Sequence, residues 1–187
     1  MSKRRKIDFT LYENDYEKII FRFYPRQSSC HSFGDDPPKS WSDVYKVYYY
    51  YRILIFCKEE DGSICRNYDV LFDADCDECS IIDEVSYVCS LLADGIEVYK
   101  REDGEEIQLL NKEMFPFGMG VSWTISKYIR SSYDWEEGES DIIYYTFMLF
   151  DYWNKGFKFT LKEKDIKAFG KYLNSCCEYM LEHGDPI

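Results

Sequence analysis

Carboxylates and thiols are the reactive side chains that crowd closest together in this sequence. Asp73-Ala-Asp75-Cys-Asp77 sets three acids at alternate positions with Glu78 next to them, and Glu84 falls where the last ligand of a twelve-residue calcium loop would stand if Asp73 opened it. Such a loop needs glycine at its sharp central turn, and Glu78 occupies that position. It also needs a preceding helix, whereas Ile64 to Phe72 reads as a strand. The spacing fits acids at a helix N-terminus, complementing the helix dipole, better than it fits a cation site.

Cys76 and Cys79 form a Cys-x-x-Cys pair in the same stretch, the spacing of a redox dithiol or of half a zinc site. Completing a zinc tetrahedron would take Cys57 and Cys65, or Cys30 and His31, and neither pair has zinc-knuckle spacing. The surrounding Asp73, Asp75, Asp77 and Glu78 oppose a thiolate, which argues against redox work. Histidine is scarce: His31 lies in a loop-like stretch and His183 at the end of an expected helix, where it suits the role of a helix-end cation. Cys30 adjoins His31, but neighbours in an extended chain point different ways. Gly118-Met-Gly120 precedes a strand rather than a helix and is no phosphate loop. No catalytic set emerges, so the expectation is a protein that is not an enzyme and holds no cofactor.

Two features bear on nucleic acid. Lys3 to Lys6 is a basic run at the chain terminus, where it reads as a flexible tail of residues 1–6. Tyr48 to Tyr51 offers rings for base stacking, but consecutive residues of a strand face opposite sides, and an RNA-binding sheet also needs a basic rim that this acidic chain lacks. Direct contact with nucleic acid is not expected.

The elements that position these residues follow from periodicity. Strands are expected at Ile7 to Tyr12 and Tyr16 to Tyr24, then a loop from Gln27 to Ser42, rich in Ser, Gly and Pro. Val44 to Cys57 turns at Asp61-Gly62 and returns as Ile64 to Phe72. Ile81, Val85, Val88 and Leu92 recur at helical spacing within Cys79 to Asp94, and Gly95 is placed to end that helix in a left-handed conformation. Ile96 to Tyr99 and Ile107 to Leu110 flank Asp103-Gly104 as a hairpin, and Val121 to Arg130 and Ile142 to Phe150 bracket an acidic turn from Asp134 to Asp141. Phe157 to Leu161 is a strand, and Glu163 to His183 a helix with Ile166, Phe169, Leu173, Cys177 and Met180 along one face. Tyr50 to Phe56 resembles Tyr144 to Phe150, each followed by a second strand and a helix, which raises the idea of two ββα-like halves. The fold class is α+β: a twisted, mainly antiparallel sheet with two principal amphipathic helices, residues 7–187 forming one domain.

Charge is the most informative bulk property. The net formal charge is −12, and with the four positive charges of residues 1–6 set aside, residues 7–187 carry −16. That field repels nucleic acid and anionic membrane and draws basic protein surfaces. Three clusters concentrate it: Asp73, Asp75, Asp77 and Glu78; Glu102, Asp103, Glu105 and Glu106; and Asp134, Glu136, Glu137, Glu139 and Asp141. No apolar run reaches the ~18 to 20 residues of a membrane helix, and the N-terminus shows no apolar signal core, so a soluble, cytoplasmic protein with reduced cysteines is expected.

In composition and architecture, a small acidic α+β chain without a catalytic set resembles the inhibitors that phages direct against bacterial defence nucleases, anti-CRISPR proteins among them. It shares those properties with bacterial toxin-immunity proteins. The resemblance rests on no motif. It implies an inhibitor occupying the basic, nucleic-acid-binding surface of a protein partner, such as a nuclease or toxin. The other class left open is a metal-dependent enzyme or a zinc- or calcium-binding domain, using Asp73, Asp75 or the Cys76/Cys79 pair.

Overall fold

A computed structural model describes residues 7–24, 29–32, 40, 43–59, 61, 63–77, 81–114, 122–134, 138–150 and 156–183. Two helices and a set of antiparallel sheets make an α+β fold, and the chain divides into two compact units. The first unit comprises residues 1–80, 116–121 and 175–187, the second residues 81–115 and 122–174.

The first unit is built on β-branched and aromatic runs that pair as strands. These are β1 (Ile7–Glu13), β2 (Glu17–Phe23), β3 (Ser29–Ser32), β4 (Val44–Lys58) and β5 (Ile64–Asp77). β4 is the central strand. One of its edges is shared by β2, from Phe23 opposite Tyr51 to Glu17 opposite Cys57, and by β3, from Ser29 opposite Tyr48. β5 runs along its other edge from Ile64 opposite Lys58 to Asp77 opposite Lys46. The β1–β2 turn is closed by Asn14, whose Oδ1 accepts from the amides of Tyr16 and Glu17 at 2.8 and 2.7 Å. Phe21, Phe23, Tyr51, Ile53 and Leu54 are buried, with Phe21 and Tyr51 stacked at 4.9 Å. Tyr51 therefore contributes to the core.

The second unit begins with α1 (Ile81–Ala93) and continues through the ribbon β6 (Val98–Lys100) and β7 (Glu106–Gln108). β8 (Glu113–Met114), β9 (Ser122–Asp134), β10 (Gly138–Phe150) and β11 (Gly156–Lys162) then form a four-stranded sheet in the order β11-β10-β9-β8. α2 (Glu163–His183) follows, and from Ser175 onward its residues belong to the first unit. Strand alternation buries Trp123 and Ile125 of β9, Tyr145, Phe147 and Leu149 of β10, and Phe159 and Leu161 of β11. Phe169 of α2 stands edge-on to Phe147 and Phe159 at 5.4 and 5.6 Å, while those two rings stack at 4.9 Å. The Tyr145 hydroxyl donates to the Leu92 carbonyl at 3.4 Å, tying β10 to the end of α1.

α1 ends as its sequence requires. Gly95 adopts φ +78°, its amide donates to the Leu92 carbonyl at 3.1 Å, and the Ile96 amide donates to the Leu91 carbonyl at 2.9 Å, the paired bonds of a Schellman cap. α2 spans the expected residues, with Glu163 and Asp165 in its first turn.

Several expectations need correction. Ser29–Ser32 pairs with β4, so the stretch from Gln27 to Ser42 is not all loop. Asp73, Asp75 and Asp77 do not cap a helix: β5 carries them in register with Tyr50, Tyr48 and Lys46. The long aromatic partner strand overrides their low β-propensity. β9 and β10 stay in register out to Asp134 opposite Gly138, so Asp134, Glu139 and Asp141 of the expected turn lie in strands. The strands also divide among separate sheets. The strand–strand–helix order does recur, as β4–β5–α1 and β10–β11–α2, although β4 and β5 lie in the first unit and α1 in the second.

Candidate binding site

The second unit holds an open cavity of about 580 Å³ lined by α1, the β6–β7 ribbon and the chain entering β8. Its floor is apolar: Val88 comes from the buried stripe of α1, Leu109 from the segment after β7, and Met114 from β8, all three buried. Tyr87 and Tyr99 form an aromatic wall, their rings edge to face with centroids 5.9 Å apart. Tyr87 is 50% exposed. Loss of hydration against the wall, then the hydrogen bond with Tyr99, push its phenol above the ordinary range.

Charged groups stand around this apolar and aromatic interior. The turn between β6 and β7 supplies Arg101, Glu102 and Asp103, closed by Gly104 at φ +89° with its amide 3.0 Å from the Arg101 carbonyl. Within that turn Arg101 is already occupied: its guanidinium lies 3.0 Å from Glu105 and 3.5 Å from Asp103. Asp103 also accepts from the Glu105 amide at 3.0 Å. Glu84, one helical turn before Tyr87 and Val88 on α1, and Glu102 both line the cavity. Among the described residues neither carboxylate meets a basic group. Lys112 lines the cavity as well. From Ile81 to Phe115 there are nine carboxylates against three basic residues, whereas Ser122 to Asn174 is balanced, so the second unit's net negative charge comes from the segment that builds this cavity.

The structure distributes the expected acids over three places. Glu102 and Asp103 line the cavity, Glu105 is joined to it through Arg101, and Glu106 stands opposite Lys100 in the ribbon. Asp134, Glu139 and Asp141 flank the β9–β10 turn, where Asp141 accepts from the Ser131 hydroxyl at 2.7 Å. Asp73, Asp75 and Asp77 lie on β5 in the first unit. Glu78, Glu136 and Glu137 lie outside the described residues, as do Cys79 and the basic tail. Among the described residues no three His, Cys, Asp or Glu side chains gather as metal ligands, and Cys89, Cys176 and Cys177 are buried. Burial pushes the Cys89 thiol far above its ordinary value. No described helix is long and apolar enough to cross a membrane.

Sequence reasoning missed the cavity. One signal was present: Tyr87 is a large ring lying off the apolar stripe of α1, at a position a solvated helix face would give to a polar residue. Tyr99 and Met114 carried no comparable sign.

The chain is thus an α+β protein of antiparallel sheets with an acid-rimmed, tyrosine-walled cavity. No protein-family model, no curated protein and no solved structure matches it.

Proposed function

We propose that the protein acts by binding rather than by catalysis, as an inhibitor that occupies the basic, nucleic-acid-binding groove of a protein partner. The supporting observation is the excess of acids over bases in the segment from Ile81 to Phe115, where Glu84 and Glu102 line the cavity and make no ion pair among the described residues. A groove that holds nucleic acid is lined with Lys and Arg and gains much of its affinity by neutralising phosphates. Carboxylates on the ribbon and helix offer the same groove a set of negative charges, and long-range attraction speeds the encounter. Tyr87, half exposed beside the acids, suits a protein interface, where aromatic residues provide most of the anchoring.

The test is capture of the partner from the source organism by the full chain, followed by competition. A captured protein that binds nucleic acid should release a fluorescent duplex as the chain is added, with potency falling as salt rises. Replacing Glu102, Glu105 and Glu106 with lysine should abolish release. Competition indifferent to salt and to that charge reversal would refute the reading.

A further inference from the structure

Resting on the binding role just proposed, we infer that the cavity beside Tyr87 and Tyr99 receives an arginine side chain of the partner. Each part of the cavity matches one part of that side chain. An arginine stem is apolar and packs on apolar surface while its head stays among polar groups, which suits a buried floor of Val88, Leu109 and Met114 below charged residues. A guanidinium is planar and weakly hydrated, so it can lie against a tyrosine ring and give its N–H forks to carboxylates at the same time. Tyr87 and Tyr99 supply the rings, and Glu84 and Glu102 the carboxylates that meet no basic group among the described residues. The cavity's own guanidinium does not compete for them, because Asp103 and Glu105 hold Arg101 within its turn. A lysine ammonium is more strongly hydrated and cannot stack, so arginine is preferred.

Lys112 is the lining residue that works against this occupant, and it makes the assignment decisive. If the cavity takes a cation, removing Lys112 strengthens binding. If it takes an anion held by Lys112 and Arg101, the same change weakens binding.

Fluorescein-labelled hexa-arginine, hexa-lysine and hexa-glutamate are titrated against the full chain by anisotropy at physiological salt. Hexa-arginine should bind more tightly than hexa-lysine, and hexa-glutamate should not bind. Glu84→Gln and Glu102→Gln should each weaken hexa-arginine by about threefold to tenfold, the loss expected for one desolvated charge contact. Tyr87→Leu, which keeps apolar bulk without the ring, should weaken it by a similar factor, and Lys112→Met should tighten it. Melting temperatures of the variants separate lost binding from lost fold. Hexa-arginine binding that ignores these four substitutions but falls in Asp141→Asn or Glu139→Gln overturns the cavity assignment and leaves the acidic-binding role standing. Tighter binding of hexa-glutamate than of hexa-arginine overturns the assignment in favour of an anionic ligand. Failure of hexa-arginine to bind at all overturns it too, and if the chain also fails to release nucleic acid from its captured partner, the binding role falls with it.

Discussion

The hydroxyl of Ser86 on α1 donates to the backbone carbonyl of Gly170 on α2 at 2.9 Å, in the buried crossing of the two helices. The approach is close enough that a Cβ on Gly170 would stand 2.9 Å from the Cys89 Cβ and 3.2 Å from the Ser86 carbonyl oxygen. Here glycine serves to admit a neighbouring helix backbone, at the expense of about 1 kcal/mol of helix propensity relative to alanine. Gly170→Ala is expected to destabilise the protein by about 1–3 kcal/mol through overpacking, despite its better propensity. Ser86→Ala should cost about 1 kcal/mol, the usual net worth of one hydrogen bond. Denaturant unfolding of both variants reads these values, and a stabilised Gly170→Ala would show that the helices separate readily at this point.

Gly95 is a glycine of the other kind. Nothing lies within 4 Å of a Cβ built there, yet its φ is +78°. Gly95→Ala should therefore cost about 1 kcal/mol from backbone strain, and Gly95→Asn less, because asparagine tolerates the left-handed region. Comparing the two variants by thermal unfolding checks the conformational origin of the effect.

Phe147 sits at the centre of the aromatic cluster of the second unit, against Phe159, Phe169 and Trp123. Phe147→Ala should lose about 3–5 kcal/mol, the transfer free energy of the ring plus the cavity left behind. Phe147→Leu should recover much of it. Near-ultraviolet circular dichroism, which reports the packing of these rings, should collapse in the alanine variant before the far-ultraviolet signal does.

Glu13 links stability to pH. Its carboxylate accepts from Lys18 at 2.8 Å and lies 3.0 Å from Lys58, and these contacts, Lys18 first, hold its pKa below the ordinary 4.5. A depressed carboxylate pKa stabilises the folded state above the unfolded value and loses that contribution as pH falls through the folded one. The difference in melting temperature between the native chain and Glu13→Gln should be full near neutral pH and close as pH drops below about 4.5. A gap that persists into strong acid would mean the glutamine acts by some route other than charge.

Much of the architecture was legible in the residues. α2 could be read to its bounds because Ile166, Phe169, Leu173, Cys177 and Met180 keep strict helical spacing, and Gly95 and Gly104 marked their turns. β3 was not legible, since Ser-Cys-His-Ser has no hydrophobic alternation and is a strand only through its pairing with β4. The far end of β5 was hidden for the same reason, its aspartates being held by the register of the partner strand. For the candidate site, the carboxylates declared themselves as charge. The cavity did not, because it exists only where α1, the ribbon and β8 converge, and periodicity along one element carries no information about such a meeting.

The central claim is that acidity directed at a basic groove is what this protein uses, and displacement tests it most directly. The captured partner is loaded with a fluorescent duplex, and the full chain is titrated in across a range of salt. The account predicts release of the duplex, with an apparent affinity that falls steeply as salt rises and is lost when Glu102, Glu105 and Glu106 are reversed to lysine. A duplex that stays bound at saturating chain, or release that is indifferent to both salt and charge reversal, would contradict it.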